Sequence, residues 1–162
     1  MTTEVQDVLV RKSVIVNAPI AHVFAVFTEG QNTWWPRAHH IGSRDDFTAI
    51  MEPRVGGRWF ERGDDGSECN WGRVLAWEPP RRVVLSWDIG ADWKYDPDLG
   101  TEVEVSFIAE TAERTRVELE HRKLHRFGDK AEAMRALFDL PSAWLETLQT
   151  MAKAAEAAAP RR

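Results

Sequence analysis

The sequence has one cysteine, Cys69, and one tyrosine, Tyr95, in 162 residues. One cysteine excludes an internal disulfide, and no His/Cys spacing matches a zinc ligand set. Long apolar runs are missing too, and none approaches the roughly 20 residues that span a bilayer. The N-terminal "MTTEVQDVLVRKSVIV" alternates apolar and polar residues, so it does not read as a signal peptide. These absences point to a cytoplasmic protein with no membrane partner. An excess of positive charge is also lacking: 21 Lys and Arg face 26 Asp and Glu, for a net charge of -5. The cations are scattered, which argues against a nucleic-acid partner. No cofactor and no metal ion is expected.

Tryptophan is abundant. There are eight, and in a chain this size they dominate the interior, as packed core or as the rigid walls of a broad cavity. Hydrophobic residues at 43% and charged residues at 29% mark a globular chain. Its length suggests one domain over residues 1–162, with a core of about 8–155.

Periodicity sets the expected order of elements. "VLVRKSVIV" alternates as a strand from Val8 to Val16. Asn17 can cap a following helix with Pro19 in its first turn, and Ile20, Val23, Phe24 and Phe27 form its apolar stripe. Gly30 ends that helix, and a short second one begins near Thr33 and stops before Pro36. From residue 47 to about 124 the pattern is strands. Gly56-Gly57 and "GDDG" (63–66) mark turns, and Gly72 permits a bulge or a close approach. Val83, Leu85, Trp87 and Ile89 share one face, as do Val103, Val105 and Phe107, and Val117, Leu119 and His121. Glu102, Glu104, Glu118, Glu120 and Arg122 face the other way, with Val84, Ser86 and Asp88. This alternation predicts an antiparallel sheet wet on one side. Met134, Leu137 and Phe138, then Trp144, Leu145, Leu148, Met151 and Ala152, recur at helical spacing, with Pro141 interrupting or restarting the helix. The tail "AKAAEAAAPRR" reads as a fraying helix end up to Pro160.

The order and spacing of "VNAPIAHVFAVFTEG", "WWP", "EPRVGGRWF", "GRVLAWEPPRRVVLSWDI" and "TRVELEHRKL" resemble the START-like, helix-grip (SRPBCC) superfamily. More narrowly, they are similar to bacterial relatives of the C-terminal domain of the heat-shock-protein-90 ATPase activator. The resemblance runs from about Val8 to Ala155. It implies an α+β helix-grip fold: a curved antiparallel sheet of about six to seven strands around a long C-terminal helix, with two short helices after the first strand. It also implies a deep cavity between sheet and helix for a small hydrophobic or aromatic molecule. It brings no invariant catalytic set.

Residues whose facing fits that cavity are Trp34, Trp35, Trp59, Trp71, Leu85, Trp87, Phe107, Leu119, His121, Phe138 and Trp144, with His39 and His40 near its mouth. Trp34 and Trp35 suit either core or pocket wall. His39 and His40 are a poor metal chelate, because neighbours in an extended chain point to opposite sides. His121 is either the cavity's polar anchor or a histidine satisfied at a strand end. Arg58, Arg73, Glu61 and Asp88 are expected on the solvated face, since a buried ion must be paired. Three functions follow. The first is binding of a small hydrophobic or aromatic ligand. The second is an enzyme of cyclase, dehydratase or hydrolase type on an aromatic or polyketide-like substrate, with His121 or His40 as acid or base. The third is a chaperone-interacting, stress-related module. Either a monomer or a homodimer through Trp93 and Tyr95 suits the sequence.

Overall fold

The computed structural model describes residues 9–158, so Val8 and Pro160 lie outside it. The elements are β1 (Val10–Val16), α1 (Ile20–Phe27), a 3-10 turn (Gln31–Thr33), β2 (Phe47–Met51), β3 (Arg58–Gly63), β4 (Glu68–Glu78), β5 (Arg82–Trp87), β6 (Thr101–Thr111), β7 (Arg114–Arg122), α2 (Ala131–Asp139) and α3 (Glu146–Ala157). All seven strands form one antiparallel sheet in the order β1-β7-β6-β5-β4-β3-β2. This is the helix-grip fold: a curled α+β half-barrel closed by the C-terminal helices.

Alternation explains the inner face of β5, β6 and β7. Val83, Leu85, Val103, Val105, Phe107, Val117, Leu119 and His121 are all buried. On the outer face of this region the side chains form a ladder of ion pairs. Arg82 meets Glu104 at 2.7 Å, Lys123 meets Glu102 at 2.8 Å, and Arg122 reaches both Glu102 and Glu104.

Alternation fails in two places. In β3, Trp59 and Glu61 share the inner face, and Phe60 between them is buried as well, beneath Arg58 and Arg62 on the other side. Glu61 is thus not on the solvated face, and the register shift beside it places the extra residue, Trp71, on β4. At the end of β5, Val84, Ser86 and Asp88 are all buried, and the loop to β6 is bonded to Asp88. Ser86 Oγ donates to Asp88 Oδ2 at 2.8 Å, and Gly100 N donates to Asp88 Oδ1 at 2.9 Å. Burial pushes the Asp88 carboxyl above its ordinary range. Arg73 is exposed and Arg58 half-buried beside Glu68, on the solvent side as expected. Gly72 serves a close approach: a Cβ there would sit 1.7 Å from the Ser86 carbonyl oxygen.

The helices also depart from expectation. The N-cap of α1 is Pro19, with no side-chain cap bond; the Asn17 backbone N–H instead donates to Glu156 of α3 at 2.8 Å. The helix ends at Phe27, and Thr28, not Gly30, is its C-cap. The C-terminal helix is two helices. Leu140 is extended, as a residue before proline prefers, and a turn at Pro141–Leu145 with a non-helical Ala143 separates α2 from α3. Trp144, Leu148, Met151, Ala152 and Ala155 remain buried, but Leu137 and Leu140 are left exposed beside the break.

Candidate functional site

The broken helix faces the open end of the sheet across a cavity of about 340 Å³. One wall is the connector from Trp35 to Ile41, another is Trp71, Trp87 and Ile89 of the sheet, and the third is Phe138, Ala143, Trp144 and Thr147. Trp93, Leu137 and Leu140 stand exposed around the mouth.

The aromatic wall is stiff because each ring is braced by another. Trp35 and Trp71 lie 5.1 Å apart at 32°, and Trp87 meets Trp144 edge-on at 5.6 Å. Trp59 closes the group from behind, 6.0 Å from Trp35 and 5.8 Å from Trp87. Hydrogen bonds fix five of the six buried indoles. Trp34 Nε1 donates to Val26 O at 2.8 Å, Trp35 Nε1 to His39 O at 2.8 Å, and Trp59 Nε1 to Gln31 Oε1 at 2.7 Å. Trp71 Nε1 donates to Glu61 Oε1 at 2.9 Å and Trp144 Nε1 to His121 Nδ1 at 3.1 Å. The sixth, Trp87, has no acceptor for its buried Nε1 among the described residues.

Of the residues singled out in the sequence, Trp35, His39, His40, Trp71, Trp87, Phe138 and Trp144 line the cavity. Trp34, Trp59, Leu85, Phe107, Leu119 and His121 do not. They are buried in the layer behind it, where Trp34 packs on Phe27 at 5.4 Å and Phe107 on Phe24 at 5.1 Å. Inward facing on the sheet was therefore too broad a criterion, since most of the inner face is filled with side chains. Trp93, singled out in the sequence for a homodimer, stands at the mouth, while Leu140, Ser142 and Thr147 were not singled out. The one sequence signal for those three was Pro141, whose break turns this part of the helix toward the open end.

The three histidines singled out, of five in the chain, differ in what their nitrogens already do. His121 is fully buried. Thr101 gives its hydroxyl proton to Trp87 O at 2.7 Å, so Thr101 Oγ1 accepts from His121 Nε2–H at 3.1 Å while His121 Nδ1 accepts from Trp144. Both nitrogens are used by a neutral ring, and burial drives its pKa from 6.5 to about 3. His40 has Nδ1 at 3.0 Å from Gly42 O and Nε2 at 3.3 Å from Asp45. His39 is exposed on its outer side and lines the cavity on its inner side. Neither of its nitrogens has a partner among the described residues. Desolvation lowers its pKa, opposed by the nearby charge of Glu146.

Glu61 holds this wall in place. It is buried, and its Oε1 accepts from both Ile41 N at 2.7 Å and Trp71 Nε1. It thus ties the histidine connector to the sheet. Cys69 is half-buried beside it, and burial followed by the Glu61 charge raises its thiol pKa. Among the described residues no cluster of His, Cys, Asp or Glu could hold a metal ion, and no helix is long and apolar enough to cross a membrane.

No curated protein matches the chain. Among solved structures it is similar to the anthrahydroquino-gamma-pyrone synthase Txn09, with 42% identity, a TM-score of 0.64, and coverage of 94% of this chain and 99% of that one. It is also similar to the self-sacrificing resistance protein CalC from Micromonospora echinospora, with 29% identity, a TM-score of 0.67 and coverage of 95% and 97%. Protein MLL2253 from Mesorhizobium loti, 16% identical with a TM-score of 0.67 and coverage of 94% and 99%, shares the fold alone. The family model described as "Activator of Hsp90 ATPase homolog 1-like protein" matches residues 17–156, and the chain belongs to that family.

Proposed function

We propose that the protein binds a flat polycyclic aromatic molecule of polyketide type in the cavity between the sheet and the broken helix. The observation that carries this is the wall itself: an opening of about 340 Å³ bounded by Trp35, Trp71, Trp87, Trp144 and Phe138. That volume falls in the range of small-molecule pockets, and aromatic walls with few polar groups suit a flat apolar ligand. The 42% relative supports the same ligand class, since its name describes an anthrahydroquinone-based product. Intrinsic tryptophan emission, titrated with a panel of flat arenes and of aliphatic lipids, tests it. Saturable quenching by the arenes at micromolar concentration is expected. A response to lipids alone, or to nothing, would sink the proposal.

One observation favours a second reading, turnover of the ligand. His39 presents an unpartnered imidazole to the cavity, held neutral by partial burial. A neutral imidazole within reach of a ligand hydroxyl can act as a general base. His121 and His40 have their nitrogens engaged and serve structure in this reading. His39→Gln then lowers turnover by about 100-fold, the lower end of what a general base contributes, while ligand affinity stays within about threefold. Turnover unchanged in that variant, or lost instead in His40→Gln, would remove His39 from the chemistry.

A further inference from the structure

We infer that Trp93 is a ligand-contacting residue: its indole covers the outer end of the bound aromatic molecule at the cavity mouth and completes the wall that the buried rings begin. This rests on the cavity reading above and deepens it.

At position 93 the local backbone favours glycine. Trp93 N donates to Gly90 O at 2.8 Å and Gly90 N donates to Lys94 O at 2.8 Å, so residues 91–93 form a three-residue hairpin tip. The third residue of such a tip takes the left-handed conformation, and Trp93 has a φ of +62°. A bulky side chain is strained there. Among the described residues one other non-glycine has a positive φ, Lys123, and its ammonium is held by Glu102 at 2.8 Å.

Trp93 receives no such partner from the fold. The other seven tryptophans each pack against an aromatic ring, down to the half-buried Trp77, which meets Phe24 at 5.1 Å. Trp93 has no ring contact and no partner for its indole N–H among the described residues, and it is 47% exposed. Strain held at a residue that gains no partner in the free protein points to a functional position. Its location gives the function, because Trp93 lines the cavity at the mouth.

The hairpin that carries Trp93 is firmly mounted. Ile89 bridges to Tyr95, Asp96 N donates to Asp88 O at 2.7 Å, and Gly100 N donates to Asp88 Oδ1 at 2.9 Å. The indole thus stands on a fixed base, while its ring, braced by no other, is free to turn onto a ligand. Small-molecule sites cover most of the ligand's surface. Here the buried rings of Trp35, Trp71, Trp87 and Trp144 supply the inner wall, and Leu137 and Leu140 stand at the mouth with Trp93. Of the mouth residues Trp93 alone has an aromatic face, and a flat molecule that reaches it gains a stacking contact there. A second copy of the chain would cover Trp93 too, but would make no use of its place in the cavity lining.

The test titrates anthraquinone-2-sulfonate into the full chain by calorimetry. Trp93→Gly suits the left-handed backbone, removes the ring, and is expected to weaken binding by about tenfold or more, the loss of a stacking contact and the area it covers. Trp93→Phe keeps a ring and is expected to stay within about threefold of the wild type. An independent readout uses the wild-type sequence labelled with 5-fluorotryptophan. The Trp93 fluorine resonance, identified by its absence from Trp93→Phe, should shift between H2O and D2O in the free protein, as a solvent-exposed ring does, and lose that solvent shift when the quinone is bound. This readout decides the matter even where Trp93→Gly fails to fold. Full affinity in a folded Trp93→Gly, or a solvent shift at Trp93 that persists at saturation, overturns the inference while leaving the cavity reading standing. A solvent shift that fades with rising protein concentration before any probe is added overturns it in favour of contact with a second copy. No binding to the wild type overturns both.

Discussion

Replacing His121 with phenylalanine separates a structural histidine from a catalytic one. The parent ring is neutral and fully buried, with a pKa near 3 against an ordinary 6.5. Between those values the unfolded chain binds a proton that the folded one refuses, so stability falls as pH drops from about 6.5 toward 3. The slope from this one group is about 1.4 kcal/mol per pH unit, and the loss between pH 7.5 and pH 5.0 is about 2 kcal/mol. His121→Phe removes that term. It also leaves Trp144 Nε1 without its acceptor, at a cost of about 1–3 kcal/mol at every pH. Urea unfolding of both proteins at pH 7.5 and 5.0 gives four numbers. The variant should be weaker at pH 7.5, and the gap should shrink by about 2 kcal/mol at pH 5.0. His39, also lowered, and Asp88, raised, are present in both proteins and cancel in the difference. Glu102 and Glu104 are held below the ordinary carboxylate range by Lys123 and Arg122 and by Arg82 and Arg122, despite opposing desolvation, and titrate below this window. A gap that stays constant between the two pH values would refute the reasoning.

Two further substitutions probe the frame of the site. Gly72→Ala drives a Cβ into the Ser86 carbonyl and should cost at least the upper end of the usual 1–3 kcal/mol for overpacking, about 3 kcal/mol, read as a drop in thermal midpoint; an unchanged midpoint would mean the β4–β5 approach is looser than described. Glu61→Leu strips the shared acceptor from Ile41 N and Trp71 Nε1, at about 1–3 kcal/mol for each orphaned donor. It should also weaken ligand binding, and full affinity in a folded variant would show that the connector needs no such tie.

The sheet was legible because most strands keep one face dry. Val83, Leu85, Val103, Val105, Val117 and Leu119 alternate without interruption, and all are buried. The helix break was marked by Pro141, although the displacement of Leu137 to the surface was not. Glu61, Ser86 and Asp88 were misplaced for two physical reasons. Glu61 shares the inner face with Trp59, where Ile41 N and Trp71 Nε1 satisfy its carboxylate, while Gly72 closes over Ser86 and Gly100 of the β5–β6 loop caps Asp88. Neither set of partners has a local sequence mark that outweighs a charged or polar side chain. Part of the cavity lining was legible, and the expected set was wider than the lining itself. The segment "TWWPRAHHIG" does close one end of the cavity: Trp35, His39, His40 and Ile41 line it, while Trp34 turns back onto α1. Which histidine keeps a free nitrogen depends on Gly42, Asp45, Thr101 and Trp144, brought together only by folding.

Occupancy of the cavity is the claim on which the rest depends, and Ala38 offers direct access to it. Ala38 lines the cavity from the exposed connector, so Ala38→Trp can fill the opening without disturbing the core. Calorimetric titration of anthraquinone-2-sulfonate should give one-to-one micromolar binding to the parent. In Ala38→Trp binding should weaken by about tenfold or more, equivalent to about 1.4 kcal/mol, with an unchanged thermal midpoint. Undiminished binding to the blocked variant, or no heat with the parent, would contradict a ligand site between the sheet and the broken helix.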